Sequence, residues 1–143
     1  LKHNANRAGL KDRRVVLVDD SIVRGTTSVK IVEMVRNAGA REVHMRISSP
    51  PNTHSCFYGI DTPRQEELLG AQYDVEAMAK HINVDSLAFL TIDGLYRALG
   101  EAGRKIEAPQ YCDACFSGDY PIPLVDHEKD PAQHQLSLLD EHK

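Results

Sequence analysis

Val15-Val16-Leu17-Val18-Asp19-Asp20-Ser21-Ile22-Val23-Arg24-Gly25-Thr26-Thr27 places a short apolar run, an acidic pair and a Gly-Thr turn in immediate succession. Its first four residues, three of them β-branched, read as a strand buried on both faces of a parallel sheet. From Thr27 the period changes. Ile31, Met34, Val35 and Ala38 recur at i, i+3, i+4 and i+7, the spacing of one helix face, and Gly39 stands where that helix would stop. Val43, Met45 and Ile47 then alternate with His44 and Arg46. This second strand must end at Ser48-Ser49-Pro50-Pro51, because consecutive prolines supply no ladder donors. Strand, helix and strand in this order make a βαβ unit with a right-handed crossover, so the fold class is α/β.

Further along, Thr62-Pro63-Arg64-Gln65 offers a hydroxyl cap, a proline at the first helical position and a glutamine at the third, which predicts a short helix through Leu69. Asp74 opens another helix with Val75, Met78, Ala79 and Ile82 on one face, and residues 86–90 read as a strand. Thr91 caps a last helix carrying Ile92, Leu95, Tyr96 and Leu99. Residues 126–143 are polar, contain Pro131 and are expected to form a mobile tail. The chain opens on Leu1 rather than Met, with neither the apolar core of a signal peptide nor a transit pattern, as expected for a piece of a longer protein.

The 143 residues are 41% apolar and 27% charged with a formal net charge of −4, enough for one domain-sized core. That composition excludes collagen-like and wholly disordered classes. No apolar run approaches the roughly 20 residues of a membrane helix, and Lys and Arg are scattered, so neither a membrane nor a nucleic acid is an expected partner. Three cysteines are too few for a secreted disulfide scaffold, and a reducing, cytoplasmic compartment is expected.

Asp19 and Asp20 follow the first strand directly, at the carboxyl edge where open α/β sheets bind ligands. Gly25-Thr26-Thr27-Ser28 supplies free backbone N–H groups, hydroxyls and the positive end of a helix dipole, all suited to a phosphate monoester, and Arg24 adds charge. Adjacent carboxylates accept hydrogen bonds from vicinal hydroxyls, each worth about 1.5–3 kcal/mol net. A sugar 5-phosphate carries both features. Taken singly, these residues have plainer explanations. Asp20 or Ser21 would cap a turn, Gly25 would permit positive φ, and Thr26 or Thr27 would be an ordinary helix cap. Jointly they favour a ligand site, since paired carboxylates at a buried strand end lose solvation and need compensation.

The same stretch resembles the 5-phosphoribosyl 1-pyrophosphate (PRPP) motif of type I phosphoribosyltransferases. Lys2-His3-Asn4-Ala5-Asn6-Arg7, Ser48-Ser49-Pro50-Pro51, Cys56-Phe57-Tyr58-Gly59-Ile60-Asp61-Thr62-Pro63 and Cys112-Asp113-Ala114-Cys115-Phe116-Ser117-Gly118-Asp119-Tyr120-Pro121 extend the likeness to the amidophosphoribosyltransferase family. The resemblance runs in order from Leu1 to about Pro123. It implies residues 1–108 as the C-terminal portion of a Rossmann-like phosphoribosyltransferase domain, 109–125 as a CxxC segment and 126–143 as the tail. It also implies the first committed step of purine synthesis, in which ammonia from glutamine displaces pyrophosphate from PRPP to give phosphoribosylamine. In these terms Asp19 and Asp20 hold the ribose hydroxyls and Mg²⁺, and Ser21, Arg24, Gly25, Thr26 and Thr27 complete the PRPP site. The glutaminase cysteine and the pyrophosphate loop of the family are not in this chain, so alone it is expected to be inactive and to expose a sheet edge. The resemblance further implies homo-oligomers and inhibition by purine nucleotides. An alternative reading is a non-catalytic PRPP-sensing regulator with the same loop.

Cys112 and Cys115 have the spacing that lets two thiolates share a metal, and Cys56 can arrive from another element. Buried free thiols are the plain alternative. By resemblance, Cys56, Cys112 and Cys115 are three ligands of a 4Fe–4S cluster whose fourth ligand lies upstream of Leu1. Zinc is the competing metal, with His54, His127 or His134 completing a Cys₃His set. Lys2 and Arg7 are further phosphate candidates, more simply read as an exposed basic terminus. Ser48 and Ser49 could line a nucleotide pocket or merely end a strand, and His81 complements a helix dipole. Tyr58 and Asp61 fall in a matched motif without an assigned chemistry.

Overall fold

The computed structural model describes residues 5–123. In chain order the elements are α1 (Arg7–Leu10), β1 (Arg14–Asp19), α2 (Thr26–Asn37), β2 (Glu42–Ile47), a 3₁₀ turn (Gln65–Glu67), α3 (Leu69–Gln72), α4 (Val75–His81), β3 (Ser86–Phe89), α5 (Ile92–Ala98) and α6 (Ala114–Ser117). The three strands form one parallel sheet in the order β1-β2-β3, with Leu17 opposite Met45 and Met45 opposite Leu87. The α/β architecture read from the sequence is the one observed.

The alternation in β2 fixes the core. Val43, Met45 and Ile47 are all at most 3% exposed and point to one face, where Val32 and Val35 of α2, Leu69, Met78 and Ile82 meet them. Burying each of these side chains contributes about 1.5–3 kcal/mol. Asp74 caps α4 by accepting the Ala77 N–H at 2.8 Å, and Thr91 caps α5 through the Gly94 N–H at 2.9 Å, both as expected. Gly39, at φ 94°, follows the end of α2.

Three expectations need correction. β1 is not buried on both faces: Val15 and Leu17 turn to the core, but Val16 and Val18 are 59% and 76% exposed, because no described element covers the opposite face. The buried stripe of α2 is centred on Ser28, Val32 and Val35, while Ile31 and Met34 are only half-buried at its margin. Finally, no helix starts at Thr62. Its hydroxyl accepts the Cys56 N–H at 2.7 Å and the Pro63 carbonyl accepts the Ser55 hydroxyl at 2.8 Å, so both close a loop. The turn begins after Arg64, whose N–H is taken by Glu67 at 3.1 Å. The tail at 126–143, with His127 and His134, lies outside the described residues, as does Lys2.

Candidate functional site

The turn from β1 to α2 opens onto a cavity of about 330 Å³ lined by Asp19, Asp20, Ser21, Val23, Arg24, Gly25, Thr26, Thr27 and Ser28. All seven residues singled out in the sequence therefore border the same space. Gly25 makes the shape possible. It occupies the N-cap of α2 at φ 76° and leaves the helix without a side-chain cap, so neither Thr26 nor Thr27 plays the ordinary cap role. The first turn of α2, its amides without a side-chain cap, borders the cavity. A Cβ on Gly25 would stand 2.9 Å from Leu69 Cδ2, so the loop is packed from behind as tightly as a glycine permits.

At the other end, the Asp19 carboxylate accepts the Asp20 N–H at 3.0 Å, and the Asp20 carboxylate accepts the Ser21 hydroxyl at 2.8 Å. Ser48, just past the end of β2, fastens Asp19, its N–H donating to the Asp19 carbonyl at 3.0 Å. Asp20 is exposed and Asp19 half-buried. The expected loss of solvation is therefore small, and the pair keeps spare acceptor capacity toward the cavity.

Arg24 reaches Glu67 at 3.4 Å, and the Val23 carbonyl accepts the Leu69 N–H at 2.8 Å. The Arg64 N–H, and then Arg24, hold the Glu67 carboxyl below its ordinary range against the opposing effect of burial. Sequence reasoning missed Glu67 and Leu69, which lie over forty residues from the loop and carry no motif. Arg7 lines a different cavity, of about 440 Å³, with Lys30, Glu33 and Asn37. Ser49 Oγ is buried without a hydrogen-bond partner among the described residues. His81 stacks on Tyr73 with ring centroids 5.6 Å apart in the last turn of α4.

A second cluster gathers the cysteines. The Cys115 carbonyl accepts the N–H groups of Thr53 and His54 at 3.0 and 3.1 Å, which docks α6 against the loop that carries Cys56. Burial first, and then the neighbouring Cys56 and Cys112, push the Cys115 thiol up. Burial and the same three cysteines raise Tyr120. All three thiols are free. Among the described residues no three His, Cys, Asp or Glu side chains converge as a metal-holding group. The donor set suits a thiophilic centre in kind, since Cys56 and Cys112 both lie near enough to Cys115 to act on its thiol. His54 Nδ1 is 2.9 Å from Thr53 Oγ1, and the ring lies against Gly118. Tyr58 bridges to Ile122, donating to its carbonyl and accepting its N–H, which ties the Cys56 loop to the segment after α6.

Amidophosphoribosyltransferase from Rhizobium etli is 59% identical over 140 residues, matching 97% of this chain and 28% of its own length. The chain belongs to the amidophosphoribosyltransferase family. A chloroplastic amidophosphoribosyltransferase of Arabidopsis thaliana is 56% identical over 123 residues, or 86% of this chain and 22% of that protein. Among solved structures, the glutamine PRPP amidotransferase of B. subtilis complexed with ADP and GMP superposes with a TM-score of 0.73 at 51% identity. It covers 82% of this chain, which covers 26% of it. The chain thus spans about a quarter of the length of these amidophosphoribosyltransferases. No protein-family model matches. No helix among the described residues is long and apolar enough to cross a membrane.

Proposed function

We propose that this chain forms the PRPP-binding part of an enzyme that transfers glutamine-derived ammonia to PRPP, giving phosphoribosylamine and pyrophosphate in purine synthesis. One observation carries the reading: the cavity at the β1–α2 turn is bordered at once by two carboxylates and by an uncapped helix start. The first turn of α2, with Thr26, Thr27 and Ser28, takes the 5-phosphate, and Arg24 adds charge at the rim. Asp19 and Asp20 accept the ribose hydroxyls. Asp19 and Asp20 would also hold Mg²⁺, which would neutralise the pyrophosphate leaving group. Cleavage at the anomeric carbon builds positive charge on the sugar, and a fixed carboxylate pair stabilises it while holding the ring in place. Neither aspartate needs to move a proton, because ammonia is already nucleophilic.

Cys56, Cys112 and Cys115 would hold three corners of a 4Fe–4S cluster, a structural tie between the Cys56 loop and α6. Free thiols beside one another favour a reducing, cytoplasmic compartment. Purine nucleotides as inhibitors and a homo-oligomeric assembly follow from the family, and the relative solved with ADP and GMP supports the first. The non-catalytic sensor reading would require the loop but gives no reason for the three cysteines.

The test is Asp20→Asn in the complete protein that carries this chain. Losing charge-assisted bonds worth about 1.5–3 kcal/mol should weaken Mg²⁺-dependent PRPP binding by roughly 10- to 100-fold, with a matching fall in ammonia-dependent pyrophosphate release. Unchanged PRPP affinity and rate in this variant would remove the diol assignment. Iron, sulfide and zinc analysis of anaerobically prepared protein decides between the cluster and zinc.

A further inference from the structure

Among the described residues, the most completely paired buried charge is away from the β1–α2 loop, at Asp113, between the two cysteines of the CxxC segment. Its side chain is 3% exposed. Arg104 donates Nε and Nη2 to it at 2.6 and 3.2 Å, Tyr96 donates its hydroxyl at 2.9 Å, and Ser117 donates Oγ at 2.7 Å. Arg104, itself 11% exposed, also holds Asp119 at 2.7 Å. A buried carboxylate is costly unless its lone pairs are occupied, and here donors from α5, the following loop and α6 occupy them. The Asp113 backbone carbonyl additionally accepts the N–H groups of Phe116 and Ser117, which opens α6. No thiol takes part in any of these bonds.

A four-residue helix such as α6 does not hold its own shape, since nucleation alone is unfavourable. Something else must therefore fix the direction in which Cys112 and Cys115 leave the backbone. We infer that Arg104 and Asp113, fastened by Tyr96, are positioning residues that fix the backbone from which Cys112 and Cys115 project before any metal arrives. The segment that carries Cys112 and Cys115 is then ordered without the ion, in contrast to small metal domains whose ligands are organised only by it. The inference rests on the reading of Cys56, Cys112 and Cys115 as ligands.

The experiment uses the complete protein, prepared anaerobically and metal-free, and titrates it with Co²⁺ while following thiolate-to-metal absorption. Iodoacetamide alkylation of the thiols without metal is measured in parallel. Asp113→Asn should weaken Co²⁺ binding by about 10- to 100-fold and accelerate alkylation, as the loss of groups that orient metal ligands does elsewhere. PRPP affinity should stay at the wild-type value. Tyr96→Phe keeps the ion pair and the ring, and should produce a smaller change in the same direction. It decides the matter if Asp113→Asn does not fold. Wild-type cobalt affinity and alkylation rates in the folded variants would overturn the positioning role. A wild-type protein that binds no cobalt, with Cys112→Ser spectroscopically identical to it, would overturn the ligand reading beneath it.

Discussion

Gly25 concentrates two requirements on one residue. Its φ of 76° favours glycine, and the space a Cβ would need is taken by Leu69. Gly25→Ala should cost about 1–2 kcal/mol from the left-handed backbone alone, with a further loss from the Leu69 contact. Urea unfolding measures the stability change, and titration with PRPP should show weaker binding because the first turn of α2 is displaced. The glycine was legible in the sequence, since a Gly between a strand and a helix signals a special backbone position. Glu67 and Leu69, which brace the loop, were not. Their effect depends on a meeting of segments more than forty residues apart, which leaves no local pattern.

Among the elements, the segment from Ser55 to Leu69 acts as a strap. Thr62 and Pro63 close it around Cys56 and Ser55, Glu67 pairs with Arg24, and Leu69 bonds to Val23 and packs on Gly25. Leu69→Ala, at a position 2% exposed, should cost about 2–5 kcal/mol and also lower PRPP affinity, because it unbraces the β1–α2 loop. Asp74→Ala is the matched control. Losing the α4 cap should cost about 1 kcal/mol and leave PRPP affinity unchanged. Thermal melts paired with titration calorimetry separate the two. The strap also explains why the Thr-Pro-Arg-Gln signature misled. Cap and loop-closing roles use the same hydroxyl, and the Cys56 N–H, six residues back, took it.

For the whole molecule, α2, β2 and β3 are joined at Asp85. Its carboxylate accepts the Val43 N–H at 2.6 Å and Arg36 Nη2 at 2.9 Å, while Arg36 Nε donates to the Asn83 carbonyl at 2.9 Å. The Val43 N–H foremost, and then Arg36, hold the Asp85 carboxyl below its ordinary value of 3.8 despite opposing desolvation. A folded pKa below the unfolded one gives stability that is full above about pH 4 and is lost as pH falls through the lower folded value. Denaturant midpoints measured from pH 6 to pH 2 should therefore drop at the acid end. Asp85→Asn should be less stable at neutral pH and show a shallower acid decline.

The sequence by itself determined the β1–turn–α2 unit, the alternation of β2, the caps at Asp74 and Thr91, and the residues that border the cavity at the β1–α2 turn. Each of these depends on neighbours within one or two turns of chain, where periodicity, caps and glycine act directly. Only the tertiary structure decided which face of β1 is covered, which stripe of α2 is buried, where Thr62 spends its hydroxyl, and that Arg104, Tyr96 and Asp113 lock the cysteine segment. Those outcomes are set by competition among partners far apart in sequence. A donor or an apolar face goes to whichever segment packing brings within reach, and a one-dimensional pattern does not contain that distance.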